Sequence, residues 1–252
     1  MNEINVWGIK IHPLTRVEII QLIDKNITQS GTIFHLTGVN PETISKANEN
    51  SYLRNAINDS DIVNIDNMLV VCFLRLLGYK IPERVACPDI FEELLSLCNS
   101  RGFSTYFFGA QQEVLDLMLK KIEIKYPNLN ITGSRNGYYK KEDEEAIVKD
   151  IKKLKPDMLF IALPTPQKEL FIHLHKHTLG AKFAFGVGGA FDVQAGKVVR
   201  APLWMRNIGL EGFYRGVQNP ADYGARTLKY SISFIKLFFK ELFKKRSQKS
   251  KN

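Results

Sequence analysis

Short apolar runs alternate with longer amphipathic stretches between Gly31 and Gly189, and this alternation constrains the fold more than any other feature of the sequence. The apolar runs are rich in β-branched and aromatic residues, whereas stretches such as 111–126 and 141–155 have a helical period. Apolar runs of this kind occur at residues 33–36, 62–65, 105–108, 130–133, 158–162 and 183–187. The pattern predicts an α/β fold, with a mostly parallel sheet whose strands are joined by crossover helices.

The residues that follow the predicted strands are the first candidates for function. Ligands of open parallel sheets bind where the carboxyl ends of the strands meet. In this chain the corresponding segments are residues 37–41, 66–67, 109–111, 163–169 and 186–192. We therefore expect the functional side chains to come from these five segments.

Asp66 follows the apolar run 62–65 at the end of a predicted strand. A carboxylate in this position can accept a proton from an attacking hydroxyl group. It can equally be the N-cap of a helix that begins at Met68, and position alone slightly favours the cap. Thr37 and Asn40, at the end of the preceding predicted strand, have the same two alternatives of capping and substrate contact.

Gly186, Gly188 and Gly189 follow the last predicted strand. Glycines let backbone N–H groups approach a phosphate with no Cβ atom in the way. The spacing matches neither the dinucleotide-binding motif nor the P-loop motif. Tight packing of the turn explains the glycines equally well, so the sequence leaves a phosphate loop as one of two alternatives.

Arg84 lies in a predicted loop, directly after Glu83. A guanidinium group can bind a phosphate or a carboxylate through two parallel hydrogen bonds. The alternative is a surface ion pair, which is worth about 0 to 1 kcal/mol. The sequence leaves both roles open.

Neither the histidines nor the cysteines form a pattern that predicts a metal site. His173, His175 and His177 alternate along one predicted helix, and residues two apart point about 200° away from each other. The three cysteines stand in no Cys-x-x-Cys or Cys/His spacing. We therefore expect no bound metal and reduced thiols.

The net charge of +9 is concentrated at the C-terminal end. From Arg200 onward 12 basic residues face three acidic ones, whereas the first 199 residues carry 23 of each sign. Such a concentration implies an anionic partner for this segment. We therefore divide the chain into an α/β body, residues 1–199, and a basic appendage, residues 200–252.

Residues 228–245 of the appendage predict a helix with an apolar stripe and, on a narrow opposite stripe, lysines. The apolar stripe consists of Leu228, Ile232, Ile235, Phe239, Leu242 and Phe243. Such a helix is typical of the membrane interface, where each lysine contributes roughly 1 kcal/mol on an anionic leaflet. Lysines interrupt the apolar run too early for a membrane span. Docking on the protein's own core is the alternative, but apolar residues outside the stripe and the lysine tail favour the membrane.

The N-terminal residues 1–30 mix charged and apolar residues and contain no unbroken apolar run. They therefore do not predict a signal peptide. Together with the basic helix, this favours a peripheral protein on the cytoplasmic face of the cell membrane.

One block of motifs is highly specific. It comprises Gly186-Val-Gly-Gly-Ala-Phe-Asp192, Ala195-Gly196, Arg200-Ala-Pro-Leu-Trp204 and Gly209-Leu-Glu-Gly-Phe-Tyr-Arg215. With Asn40-Pro41-Glu42, Asp66 and Glu83-Arg84-Val85, it resembles the WecG/TagA/CpsF family of bacterial glycosyltransferases, also called glycosyltransferase family twenty-six. The resemblance extends from Asn5 to about Tyr230.

This resemblance implies a Rossmann-like fold of the GT-E-like type and an inverting transfer without a metal or other cofactor. The donor would be a UDP-sugar, and the acceptor an undecaprenyl-diphosphate-linked sugar used in cell-surface polysaccharide synthesis. Asp66 would be the general base, and the glycine loop would bind the nucleotide. The other substrate-binding residues would be Thr37, Asn40, Arg84, Gln167, Lys168, Arg206, Arg215 and Arg226, the last three closing over the site at the membrane.

Several positions depart from the family pattern. Asn67 and Cys87 stand where the family often has glycine, and Lys168 stands at the usual place of a glutamine. In addition, Thr37 is one residue further from Asn40 than in the family. The change at Lys168 leaves open a difference in the donor or the acceptor.

Two other classes of protein remain alternatives. A non-catalytic nucleotide-sugar-binding peripheral membrane protein would keep the glycine loop without needing Asp66. A nucleic-acid binder would also have a basic tail, but the tail lacks exposed aromatic residues on its lysine face. We therefore expect no nucleic-acid partner, whereas the sequence leaves a homo-oligomer open.

Overall fold

The computed structural model describes residues 2–29, 33–218 and 224–249. Its strands are β1 (Ile4–Val6), β2 (Ile9–Ile11), β3 (Phe34–Val39), β4 (Ile62–Ile65), β5 (Ser104–Gly109), β6 (Asn130–Arg135), β7 (Met158–Ala162) and β8 (Phe183–Gly186). Its helices are α1 (Arg16–Gln29), α2 (Pro41–Glu49), α3 (Ser51–Asn58), α4 (Met68–Leu76), α5 (Cys87–Arg101), α6 (Gln112–Lys125), α7 (Glu144–Leu154), α8 (Gln167–His175), α9 (Ala190–Gln194), α10 (Leu203–Asn207), α11 (Glu211–Gln218) and α12 (Ala225–Lys249).

Within these ranges, six strands form one sheet in the order β4-β3-β8-β7-β5-β6, and all neighbouring strands are parallel. The interior strands β3, β8 and β7 are buried at every residue, which explains the continuous apolar runs of β7 and β8. The edge strand β6 is partly exposed. The predicted α/β fold with its parallel sheet is therefore confirmed.

Helices cover both faces of the sheet. Phe107 and Phe160 pack with Phe91 of α5 on one face, with ring centroids 4.9 Å apart for Phe91 and Phe160. Their neighbours in sequence, Phe108 and Ile161, pack with α7 and α8 on the other face, as the alternation of side chains along a strand requires. With both faces covered, the ends of the strands are the open part of the sheet.

A small hairpin, β1 and β2, precedes the sheet and was not predicted. Its two-residue turn consists of Trp7 and Gly8, which have φ angles of 54° and 73°. Positive φ at both positions is the geometry of a type I′ turn, which matches the twist of a hairpin. The indole of Trp7 is buried, so the hairpin is joined to the core by the residue that forms its turn.

The C-terminal helix α12 packs on the body through Phe234 and Phe238, both buried. The ring of Phe73 stacks on Phe234 at 5.5 Å and contacts Phe238 at 4.2 Å, measured between centroids. Trp7 contacts Phe234 edge to face at 4.9 Å. Helix α12 thus docks on the protein's own core, which the sequence left as an alternative, and it does so through residues outside the predicted apolar stripe.

The predicted apolar stripe of α12 itself remains largely exposed. Leu228, Ile232, Ile235, Phe239 and Phe243 all lie at the surface, while Leu242 is partly buried. The lysines do not oppose this stripe as predicted. Lys236 lies about 200° around the helix from Phe234 of the docked face. The lysines therefore oppose the docked face and flank the exposed stripe. None of the described helices is long and apolar enough to cross a membrane.

Candidate active site

A cleft of about 1510 Å³ opens at the carboxyl ends of the parallel strands. All five predicted segments contribute to its lining, among them Asn40, Asp66, Gln111, Lys168 and Gly188. The appendage adds a further side, formed by Glu211, Gly212, Arg226, Thr227, Tyr230 and Ser231. The structure therefore brings the strand ends and the appendage together around one cavity.

Asp66 lies in this cleft directly after β4. Its Oδ1 atom accepts a hydrogen bond of 2.7 Å from the backbone N–H of Cys87, and its own backbone N–H donates to Val39 O at 2.9 Å. The N-cap of α4 is Asn67, whose side chain accepts from Leu69 N at 2.8 Å. The alternative that Asp66 caps the helix beginning at Met68 is therefore wrong by one residue.

Asp66 instead accepts from the first residue of α5. The N-cap of that helix is Ala86, which has no side chain able to accept a hydrogen bond. A helix leaves its first N–H groups without intrahelical partners and carries a positive dipole end there. The carboxylate of Asp66 is thus fixed in direction by a neighbouring helix.

Cys87, next to Asp66, is a buried and neutral thiol. Burial raises the pKa of this thiol, and the negative charge of Asp66 raises it further. Its sulfur also fills the space beside Gly38, so that no side chain fits at that position. The departure from the family at Cys87 is therefore accommodated by a glycine on β3.

Asn40 caps a helix and also lies at the cleft, so its position is compatible with both roles that the sequence leaves open. Its Oδ1 atom caps α2 by accepting from Thr43 N at 3.0 Å, and the residue also lines the cleft. Thr37, by contrast, lies below the cleft, with its hydroxyl 2.7 Å from Ser60 Oγ and 3.0 Å from His35 Nε2. The geometry therefore supports Asn40, but not Thr37, as a residue that can touch a substrate directly.

Arg84 lines the cleft and is not a surface residue. Its side chain is only 11% exposed, and Nη1 donates to Glu211 Oε2 at 2.8 Å. Burial alone would raise the pKa of Glu211, but the hydrogen bonds and charges of Arg84 and Arg200 bring it below its usual value. The alternative of a weak surface ion pair is thus wrong for Arg84.

The three arginines predicted in the appendage have different surroundings. Arg226 lines the cleft, with Nε 3.6 Å from Glu42 Oε2. Arg206 lies with Nη1 3.7 Å from Asp89 Oδ1 and is not part of the cleft lining. Arg215 belongs to α11, but its side chain lies outside the described part of the structure. Only Arg226 is therefore placed at the cleft by the described atoms.

Gln167 and Lys168 begin α8 and both line the cleft. The Lys168 ammonium donates to Thr165 Oγ1 and to Glu169 Oε1, and its aliphatic part packs on Gly186. A Cβ atom at Gly186 would lie 3.0 Å from Lys168 Cδ. Lys168 therefore forms part of the floor of the cleft, under the glycine loop.

The glycine loop connects β8 to α9 along one side of the cleft. Gly188 has φ of +53°, which favours glycine, and the position of its missing Cβ atom faces open space. Close packing favours glycine at position 186, whereas the backbone conformation favours glycine at position 188. Close packing is thus present at Gly186, whereas the open space at Gly188 leaves room for a ligand, whose binding stays a prediction.

Two residues of the cleft were given no role by the sequence. Tyr138 is 73% exposed at the rim, with its Oη atom 3.4 Å from Gln111 Nε2. Glu211 stands in a specific motif, but the sequence gives no sign that it pairs with Arg84. The sequence signal that could have pointed to Tyr138 is an aromatic residue directly after Gly137.

A family model described as "Glycosyl transferase WecG/TagA/CpsF family" matches residues 4–248. The chain belongs to this family. It is 36% identical over 204 residues to N-acetylglucosaminyldiphosphoundecaprenol N-acetyl-beta-D-mannosaminyltransferase of Bacillus subtilis, which covers 80% of this chain and 78% of that protein. It is 33% identical over 184 residues to the protein of the same name from Bacillus spizizenii, which covers 73% of this chain and 71% of that protein.

The specific motifs of this WecG/TagA/CpsF member lie on two sides of the cleft. The block from Gly186 to Asp192 forms the loop and the start of α9, and the block from Gly209 to Arg215 leads into α11. Membership of a glycosyltransferase family favours an enzyme over a nucleic-acid binder. Among the described residues, no group of three or more His, Cys, Asp or Glu side chains could hold a metal ion.

Proposed function

We propose that this WecG/TagA/CpsF glycosyltransferase is an inverting enzyme that uses a UDP-sugar donor and a polyprenyl-diphosphate-linked acceptor. The names of its relatives suggest an N-acetylmannosaminyl donor and an N-acetylglucosaminyl-diphosphoundecaprenol acceptor. The observation that carries the proposal is the position of Asp66. Its carboxylate is oriented by Cys87 N–H in the same cleft as Arg84, Arg226 and the glycine loop.

Asp66 is proposed as the general base. An inverting transfer needs one group that takes the proton from the acceptor hydroxyl as that oxygen attacks the sugar. The hydrogen bond from Cys87 N to Oδ1 fixes the plane of the carboxylate. Because the neighbouring thiol of Cys87 stays protonated, it does not compete with Asp66 for this proton.

The departing diphosphate is proposed to lie between the glycine loop and the arginines. Guanidinium groups bind phosphates through parallel hydrogen bonds, and preformed donors stabilise charge that develops on a leaving group. Arg84 and Arg226 both line the cleft, one from the body and one from the appendage. In this proposal they take the part of a metal ion, and Arg206 and Arg215 join them when the appendage closes.

The rest of the cleft is proposed to hold the sugars and the base. Asn40 and Gln167 offer amide groups that can bind sugar hydroxyls, and Lys168 contributes an ammonium group that is paired with Glu169 in the floor. The exposed ring of Tyr138 is a surface on which a nucleobase can stack. In this proposal Thr37 does not touch the substrate, and its buried hydrogen bonds to Ser60 and His35 support the end of β3 below the site.

The appendage is proposed to hold the protein on the cytoplasmic face of the membrane. The exposed apolar side chains of the appendage, among them Trp204 of α10, Phe213 of α11 and Phe239 and Phe243 of α12, are proposed as the membrane-binding surface. Lys236 and Lys240 flank this surface and can contact anionic lipid headgroups. A second copy of the chain could cover the same surface in the absence of a membrane, which keeps a homo-oligomer within the proposal.

The test is a UDP-release assay with the full chain, a panel of UDP-sugars and an undecaprenyl-diphosphate-linked N-acetylglucosamine. We expect release that needs both substrates and is greatest with UDP-N-acetylmannosamine. A non-catalytic nucleotide-sugar-binding protein would bind a UDP-sugar without releasing UDP. Binding without release, under conditions in which the Bacillus subtilis relative turns over, would contradict the proposed function.

A further inference from the structure

Glu211 joins two arginines across the boundary between the appendage and the body. Its Oε2 atom accepts from Arg84 Nη1 at 2.8 Å, and its Oε1 atom accepts from Arg200 Nε at 3.2 Å. Arg84 precedes α5 and lines the cleft, whereas Arg200 belongs to the appendage. The carboxylate of Glu211 therefore connects an arginine of the cleft to the appendage, whose residues line another side of the cleft.

This group of charges is largely buried. The side chains of Arg84, Glu211 and Arg200 are 11%, 16% and 17% exposed. Arg200 also pairs with Asp89 in the first turn of α5. Removing one member of a buried ion pair leaves the other charge uncompensated. The arrangement is therefore suited to holding a guanidinium group in one orientation.

Further ion pairs cross the same boundary in the opposite sense, from Arg200, Arg206 and Arg226 of the appendage to acidic residues of the body. Arg226 of the appendage lies 3.6 Å from Glu42 of the body, but its side chain is 47% exposed. An exposed pair at this distance contributes little. Since Asp89, Arg200 and Arg206 do not line the cleft, the buried pair of Glu211 and Arg84 is thus the one that can set the position of a cleft residue.

We propose that Glu211 is a positioning residue for the transfer reaction, and that it acts through Arg84. This inference rests on the proposed function, in which Arg84 faces the donor diphosphate. A guanidinium group carries five N–H donors in a fixed plane. Pairing Nη1 with Glu211 fixes this plane and leaves other N–H groups of Arg84 to face the cleft.

The alternative role of Glu211 is general docking of the appendage, and a double-mutant cycle separates the two. We expect Glu211→Gln in the full chain to lower kcat/KM about tenfold, the size of one lost charge-assisted hydrogen bond. Arg84→Gln should lower kcat/KM at least as much. In the Arg84→Gln background, Glu211→Gln should cause no further loss, because its effect passes through the missing guanidinium group.

Asp89→Asn is the matched control, since it weakens the same network at Arg200 and Arg206, neither of which lines the cleft in this structure, without touching Arg84. We expect it to change kcat/KM less than about threefold, although it perturbs docking. A loss as large as that of Glu211→Gln, or losses that add in the cycle, would overturn the proposal. Should Glu211→Gln fail to fold, Glu211→Asp, which keeps the charge and shortens the reach, enters the same cycle.

UDP binding to the same variants, measured by calorimetry, gives a second readout. Glu211→Gln should weaken UDP binding in the wild-type background and leave it unchanged in the Arg84→Gln background. Tighter UDP binding with unchanged turnover would mean that Glu211 competes with the diphosphate, and would also overturn the proposal. If the wild-type chain binds UDP but releases none from any donor, the proposed function fails, while the binding cycle still tests Glu211.

Discussion

The Oδ1 atom of Asp66 accepts a 2.7 Å hydrogen bond from the backbone N–H of Cys87, the first residue of α5. The bond joins the end of a strand to the start of a helix 21 residues further along the chain. It orients the carboxylate without using a side chain that could itself be charged. A substitution of Asp66 that keeps this hydrogen bond can therefore remove the capacity to take a proton without changing the place of the residue in the fold.

Asp66→Asn should abolish turnover and leave the fold intact. An asparagine can still accept the hydrogen bond from Cys87 N through its side-chain oxygen, but it cannot take a proton. We expect UDP release to fall by about 10²-fold to 10⁴-fold, the usual contribution of a general base. The melting temperature, measured by circular dichroism, should stay close to that of the wild type.

The control for this variant is Asn50→Ala, which removes the side-chain cap of α3 away from the cleft. It should lower the free energy of unfolding by about 1 kcal/mol and leave kcat/KM unchanged. Turnover by Asp66→Asn near the wild-type rate would remove Asp66 from the role of base.

Tyr138→Ala should raise KM for the donor and leave stability unchanged. The ring is 73% exposed, so little apolar area is lost from the folded state. A stacked base contributes about 1 to 3 kcal/mol, so we expect a rise of about fivefold or more in KM, with Tyr138→Phe close to the wild type. Tyr52→Ala, also exposed but outside the cleft lining, is the control, and steady-state kinetics make the comparison. An unchanged KM would exclude stacking on Tyr138.

The parallel sheet could be predicted because most of its strands contain a short apolar run. The predicted strands 62–65 and 158–162 agree with β4 and β7 at both ends. The predicted strand 33–36 stops short of β3, which continues to Val39, because Thr37 and Gly38 interrupt the apolar run. Thr37 is tolerated there since Ser60 and His35 satisfy its hydroxyl group.

The pairings that shape the site could not be predicted. Glu211 and Arg84 are 127 residues apart in sequence, and no local pattern specifies such a contact. The hairpin was missed because its strands are only three residues long and Trp7 is not a usual turn residue. The division of the chain at residue 200 stays a prediction, as do the catalytic and binding roles of the cleft residues.

The two apolar faces of α12 should respond differently to substitution. Phe234→Ala removes a fully buried ring and should lower the free energy of unfolding by about 3 to 5 kcal/mol. Phe239→Ser together with Phe243→Ser changes exposed rings, and should reduce binding to vesicles of anionic lipid with little change in stability. Sedimentation with vesicles and urea unfolding measure the two effects. Vesicle binding that survives the double substitution would contradict the proposed membrane surface.

Folding stability should fall as the pH drops below 6.5, in part because of His35. Burial lowers the pKa of His35 to about 3, helped by the charge of Lys176. Between these values the unfolded chain binds a proton at this residue and the folded chain does not, so acid favours unfolding.

The contribution of His35 should amount to about 1.5 kcal/mol between pH 6.5 and pH 5. This window lies above the range in which the ion-paired carboxylates such as Glu211, whose pKa is lowered, begin to titrate. Urea unfolding of the wild type and of His35→Gln across this window isolates the effect, because other histidines contribute equally to both proteins. The variant, although less stable at pH 7, should lose less stability on acidification. Equal slopes would contradict this prediction, because they would mean that His35 also binds a proton in the folded state. The hydroxyl groups of Thr37 and Ser60 would then both have to accept hydrogen bonds from the two ring nitrogens.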